Sequence, residues 1–135
     1  MLEEMGAVKY PTINELIEIN KLALKLIRAK KADQHKVLSR NALDFVLRSM
    51  KEQEGDIYEK AVTLLTGLLR SSHPFASGNR RTAYLAARGF LEINGEEIGV
   101  EHDPDVLQGI REDFYTRKEI ISWLKGNGIR RFRRA

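Results

Sequence analysis

Ten residues, His73-Pro74-Phe75-Ala76-Ser77-Gly78-Asn79-Arg80-Arg81-Thr82, concentrate the residue types in this chain that suit chemistry on phosphate. They lead into a helical stretch. The first amides of a helix have no partner within it, and the backbone dipole there is positive. Such a place binds anions, phosphate above all. Gly78 lets a ligand approach the backbone with no Cβ in the way. Asn79 is expected to cap the helix and to present a polar amide to the same anion. Arg80 and Arg81 add charge, and a guanidinium can hold two phosphate oxygens at once. His73 opens the loop, where a neutral imidazole can take a proton from an attacking hydroxyl. Phe75 reads as a core anchor that fixes the loop. The plainer alternative is a capped helix with surface arginines and an incidental histidine, and the residues alone leave the two open.

The elements that must position this loop read as helices throughout, because few stretches alternate with period two. A first helix is expected from Thr12, where Thr12-Ile13-Asn14-Glu15 fits a capping box, to Lys30-Lys31. Ile13, Leu16, Ile17, Leu24 and Ile27 form its apolar stripe, and Asn20 falls within it. A second helix is expected over Ser39–Met50, followed by a loop at 51–55. A third runs from Asp56, its expected cap, to Arg70, with Ile57, Ala61, Leu64, Leu65 and Leu68 on one face. The helix entered through the loop runs from Asn79 to about Ile93, and Ala83, Leu85, Ala86, Ala87, Phe90, Leu91 and Ile93 leave little of it polar. A helix apolar nearly all round is buried. Asn94-Gly95 supplies its stop. Two short helices follow, one opening at Asp103-Pro104 and one at a second capping box, Thr116-Arg117-Lys118-Glu119, that ends before Gly126.

The 135 residues are the size of one ordinary domain, with 42% apolar residues to fill a core and 31% charged residues to solvate it. The fold class is therefore all-α: a single-domain bundle around a central buried helix over residues 1–125, with a basic tail at 126–135. No run approaches the roughly 20 apolar residues of a membrane span. The N-terminal MLEEMGAVKYPTINEL lacks the basic start and apolar middle of a secretory leader. Cysteine is absent, which excludes disulfides and thiolate metal sites. The cytoplasm is the expected location. The net charge is +4, yet residues 125–135 alone carry +5, so the remainder stands at −1. Such a tail reads as a solvated terminus or as a contact for nucleic acid, an acidic partner or an anionic surface.

HPFASGNRRTA resembles the signature of the Fic/Doc superfamily, roughly HxFx[DE]GN[GK]RxxR. The flanks agree: Tyr58-Glu59-Lys60-Ala61 and a Leu-rich helix before the loop, the Ala-rich helix ending in FLEINGEEI at 90–98 after it, and the opening INELIEIN stretch. The resemblance covers about residues 8–125 and is sharpest over 57–98. It implies a Fic-like helical bundle. It also implies transfer of part of a nucleotide, or in the Doc branch of a terminal phosphate, from ATP to a hydroxyl on a target protein, with Mg2+ as cofactor. By position His73 is then the general base. Gly78 and Asn79 form the anion hole, Arg81 holds the distal phosphates, and Arg80 lies beside them. Catalysis is positioning and electrostatics.

Three departures shape these expectations. Ser77 stands where the family has the carboxylate that holds Mg2+, so metal affinity, and transfer with it, should fall. Arg80 stands where members that transfer AMP have Gly and Doc has Lys, and Tyr84 stands where they have a second Arg; both lean toward Doc. An inhibitory [ST]xxxE[GN] helix is not evident, since Ser49 and Glu54-Gly55 are spaced one residue too far apart. Restraint would then come from a separate partner, as an antitoxin restrains Doc.

Other residues carry less. His35 reads as an exposed linker residue, and Asp103 beside His102 as a helix cap rather than half of a metal site. Trp123 reads as core, Glu96-Glu97 as a solvated loop face, and Phe132 as a weak stacking candidate. Besides the transferase, the sequence supports a catalytically degenerate module that uses the fold to hold a nucleotide, a partner protein or nucleic acid. An unrelated helical domain with a chance loop is the third alternative.

Overall fold

In the computed structural model, residues 7–26, 36–70 and 74–133 are described, and every regular element among them is helical. In chain order they are α1 (Ile13–Leu26), α2 (Arg40–Glu52), α3 (Ile57–Arg70), α4 (Asn79–Ile93), α5 (Pro104–Arg111) and α6 (Arg117–Leu124). The all-α expectation holds. One isolated antiparallel bridge, between Val37 and Phe75, interrupts it.

Local chemistry sets most of the helix starts. At α1, the Glu15 amide donates to the Thr12 hydroxyl at 3.1 Å and the Thr12 amide donates back to the Glu15 carboxylate at 3.1 Å. At α6, Thr116 and Glu119 form the same reciprocal pair. Ser39 caps α2, Asp56 accepts from the Glu59 amide ahead of α3, and Asp103 caps α5 with Pro104 in its first turn. Each of these caps satisfies an amide that the helix leaves open. The second helix runs two residues past the expected Met50. There Lys60, nearly buried, donates its Nζ to the carbonyls of Met50 at 3.1 Å and Gln53 at 2.6 Å and satisfies the helix end from α3. The predicted stretch of α1 beyond Leu26, including Ile27 and Lys30-Lys31, lies outside the described residues, as does His35.

The core is one cluster drawn from all six helices. The most extensive packing is α3 on α4, with α2 on α3 and α1 on α4 next. Ala83, Ala86 and Ala87 of α4 are buried and let its neighbours come close, while Phe90 and Leu91 fill the space beyond them. Ile93, expected in the same stripe, is instead 47% exposed at the last turn. Asn94 ends α4, and Gly95 follows with φ +81°. The Asn94 side chain ties this end to the N-terminal segment: its Oδ1 accepts from the Lys9 amide, and its Nδ2 donates to the Lys9 carbonyl. Trp123 is buried as expected. Glu96 and Glu97 are exposed.

Candidate phosphate-binding site at the start of the central helix

The loop into α4 is held from two sides. Phe75 is 1% exposed, an anchor in the core as its type suggested. Its neighbours pair with the segment before α2: the Leu38 amide donates to the Pro74 carbonyl at 2.8 Å, and the Ala76 amide donates to the Lys36 carbonyl at 3.0 Å. From the other side comes Asn20 of α1, fully buried, whose Nδ2 donates to the Ser77 carbonyl at 2.9 Å and to the Thr82 hydroxyl at 3.0 Å. Asn20 thus joins the loop to the first turn of α4 across 57 and 62 residues of sequence. Its place in an apolar stripe was the sequence signal: a buried amide must find partners, and here the loop supplies them.

Asn79 does not cap the helix, contrary to expectation. Gly78 occupies the cap position with φ +77°, a left-handed conformation that a side chain resists, and a Cβ there would also press on Leu24 at 3.2 Å. Asn79 is the first helical residue, and its amide turns back into the loop. Its Nδ2 donates to the Phe75 carbonyl at 2.8 Å, and its Oδ1 accepts from the Phe75 amide at 3.2 Å. The result is a helix start with no side-chain cap, unlike the other described helices, whose first turns Thr12, Ser39, Asp56, Asp103 and Thr116 occupy.

That uncapped start borders a cavity of about 430 Å³. Residues 76–79 form one part of its lining, with the side chains of Arg80 and Arg81 beside them. The segment into α5 adds His102, and α5 adds Gln108 and Arg111. Three guanidinium-bearing residues and the start of a helix therefore converge on one space. No Asp or Glu lines it among the described residues. The nearby carboxylates are engaged elsewhere. Asp103 accepts from the Val106 amide at 3.2 Å and from Arg131 at 2.9 and 3.3 Å, and Glu112 accepts from Gln108 at 2.7 Å.

Two nitrogens at this cavity stand out. Arg81 Nε and His102 Nε2 are the buried side-chain polar atoms without a hydrogen-bond partner among the described residues. The His102 ring lies edge-on to Tyr84 with centroids 5.6 Å apart. Burial, then the charges of Arg81 and Arg80, hold its imidazole below the ordinary 6.5, with Asp103 pulling weakly the other way. His102 is therefore neutral at pH 7. Sequence reasoning set it aside as a neighbour of a cap, and Asp103 is indeed that cap. That His102 and the loop line one cavity depends on the path of residues 94–103, which no local pattern encodes.

Of the residues singled out in the sequence, the structure brings Ser77, Gly78, Asn79, Arg80 and Arg81 to the cavity and puts Phe75 beneath them. His73 lies outside the described residues. Mg2+ needs oxygen donors in near-octahedral array and is usually held through carboxylate. The donors here are the Ser77 hydroxyl, backbone carbonyls and an Asn79 Oδ1 already accepting from Phe75, next to three arginines. This set does not fit the metal.

The second basic cluster, in the tail, is arranged differently. Arg130 pairs with Glu119, bonds the Phe114 carbonyl and lies over the Phe114 ring at 3.9 Å. Arg131 pairs with Asp103 at 2.9 Å and lies 3.7 Å from Asp105. Phe132 packs against Phe114 and the core rather than standing free. The segment is tied to the body at Arg130, Arg131 and Phe132, while residues 130, 131 and 133 remain exposed to solvent; Arg134 lies outside the described residues.

No family model matches the chain. Over 61 residues it is 38% identical to Toxin Doc of Mycolicibacterium smegmatis, a match that covers 45% of this chain. The matched stretch spans 46%, just under half, of that relative's length. The chain thus has a Doc-like relationship over that stretch. Among the described residues, no helix is long and apolar enough to cross a membrane.

Proposed function

We propose that this chain is a Doc-like transferase of the cytoplasm that moves a phosphoryl group from a nucleoside triphosphate to a hydroxyl on a target protein. The observation that carries this reading is the convergence of Arg80, Arg81 and Arg111 with an uncapped helix start on one cavity of about 430 Å³. The likeness to Toxin Doc supports it. Arg80 and Tyr84 favour the terminal phosphate over the nucleotidyl group, because a bulky cation and a phenol stand where AMP-transferring members keep Gly and Arg. His73 takes the proton of the target hydroxyl. The hydroxyl oxygen then bonds to the terminal phosphorus, the bond from that phosphorus to the bridging oxygen breaks, and the nucleoside diphosphate leaves with the electron pair. The helix amides and guanidiniums stabilise the charge that builds on the phosphate oxygens. The likeness also brings in an antitoxin as restraining partner.

The test is incubation with ATP labelled at the γ or at the α phosphate, with cytosolic proteins, in Mg2+, in Mn2+ and in EDTA. Protein labelled from the γ position alone is expected; α labelling would instead show nucleotidyl transfer. Labelling undiminished in His73→Ala would remove His73 as the base.

The donor set around Ser77 favours a second reading, a degenerate module that binds a nucleotide without turnover. Calorimetric binding of ATP with no labelling of any protein would select it. Nucleic-acid binding gains nothing from Arg130 and Arg131, which are already paired with carboxylates.

A further inference from the structure

We infer that the cavity takes its polyphosphate as the bare anion, with arginines neutralising the charge that a divalent cation would otherwise carry. The inference rests on reading the cavity as a triphosphate site and concerns the ionic form bound there. The lining offers Mg2+ no carboxylate among the described residues, and the carboxylates of Asp103 and Glu112 are held by Arg131 and Gln108. Ser77 brings a neutral oxygen where a charged one is needed. The Asn79 Oδ1 already accepts from the Phe75 amide, which leaves a metal one lone pair of a neutral oxygen. Meanwhile Arg80, Arg81 and Arg111 surround the same space.

Electrostatics then sets the preference. Free ATP near neutral pH carries about four negative charges, and a bound Mg2+ cancels two of them. The guanidiniums of Arg80 and Arg81 and a helix N-terminus attract the more highly charged form more strongly, and they repel the metal itself. Arg81 and His102 both line this space, and Arg81 Nε and His102 Nε2 are buried without a hydrogen-bond partner among the described residues. An anion in the cavity favours a proton on His102, which adds positive charge to the lining.

The experiment is calorimetry on the full chain with the non-hydrolysable β,γ-imido analogue of ATP, in EDTA and again in excess Mg2+ at matched ionic strength. Binding in EDTA is expected, on the order of threefold tighter than with Mg2+. Ser77→Asp restores a carboxylate, and in that variant Mg2+ should tighten binding instead. Tightening by Mg2+ in the wild-type chain, or no response to Mg2+ in Ser77→Asp, overturns the inference and leaves the triphosphate reading standing. Absence of binding under both conditions in the wild-type chain removes the triphosphate reading itself, and the inference with it.

Discussion

The chain has two arginine clusters that composition treats alike and structure treats in opposite ways. Arg130 and Arg131 lie against Glu119, Asp103 and Asp105, so their charge is spent inside the molecule, holding the tail on α5 and α6. Arg80 and Arg81 have no carboxylate partner among the described residues, and they face a cavity at a helix start that no side chain caps. What separates the clusters is the placement of acids. A guanidinium with a carboxylate beside it strengthens a surface contact modestly. One without a carboxylate, beside open amides, offers binding energy to an anion from outside.

The largest effect is expected from removing the brace that keeps the loop open. Asn20→Ala leaves the Ser77 carbonyl and the Thr82 hydroxyl without their buried donor, at a cost of about 2–3 kcal/mol. For a chain of this size that is a fall of several degrees in the thermal midpoint, readable by calorimetry or circular dichroism. An unchanged midpoint would mean that the loop holds its shape without α1.

Next comes the direct contrast between clusters. Arg81→Gln should weaken triphosphate binding by at least about tenfold, or about 1.4 kcal/mol, while leaving the thermal midpoint close to wild type. Arg131→Gln should do the reverse: it lowers the midpoint slightly and leaves the affinity alone. If Arg131→Gln weakened binding as much as Arg81→Gln, the two clusters would be one electrostatic surface and the distinction between them would fail.

How much of this was legible in the sequence follows from the range of the interactions involved. The capping boxes at Thr12 and Thr116 and the cap at Asp103 are contacts within one helical turn, so a short window shows them whole. The buried face of α4 was legible for the same reason, until Ile93 reached the surface at the helix end, where periodicity says nothing about depth. Asn79 was misread as a cap because cap statistics describe a residue and its own helix, whereas here its amide serves the loop behind it. Gly78 could take the cap because it alone in the loop tolerates the left-handed conformation. Asn20, His102 and the bridge between Val37 and Phe75 depend on distant segments meeting. For Asn20 only a polar residue in an apolar stripe gave notice. The pairing of the tail arginines was hidden by net charge, which counts cations without locating their partners.

A smaller effect should appear in the pH dependence of the site. Burial and the charges of Arg81 and Arg80 lower the His102 pKa, while Asp103 on its own segment opposes them. The folded chain therefore binds fewer protons than the unfolded one below pH 6.5. The stability associated with His102 is complete above pH 6.5 and is lost as pH falls from there through the lowered folded value. A bound polyphosphate raises that pKa, so binding should take up protons and tighten as pH falls from 7 toward 6. Calorimetry in buffers of different ionisation enthalpy measures the uptake, and His102→Gln subtracts the ligand's own titration. Equal uptake in the wild type and in His102→Gln would separate His102 from the ligand.

The smallest effect tests the tail cluster alone. The Glu119 carboxyl is held down to about 2, first by the hydrogen bond from Arg130 and then by the Thr116 amide. A depressed carboxyl favours the folded state above its unfolded value, 4.5, and that contribution is lost as pH falls from 4.5 through about 2. Arg130→Ala removes the larger cause and keeps the capping box, so the Glu119 pKa should rise yet remain below 4.5, as an NMR titration of its carboxyl carbon would show. The variant should lose less stability between pH 4.5 and 2 than the wild type and bind triphosphate as the wild type does. A pKa that stayed near 2 would place the restraint in the capping box. The tail arginine would then be a neighbour of Glu119 rather than its partner, and the contrast with the cavity arginines would rest on Arg131 and Asp103 alone.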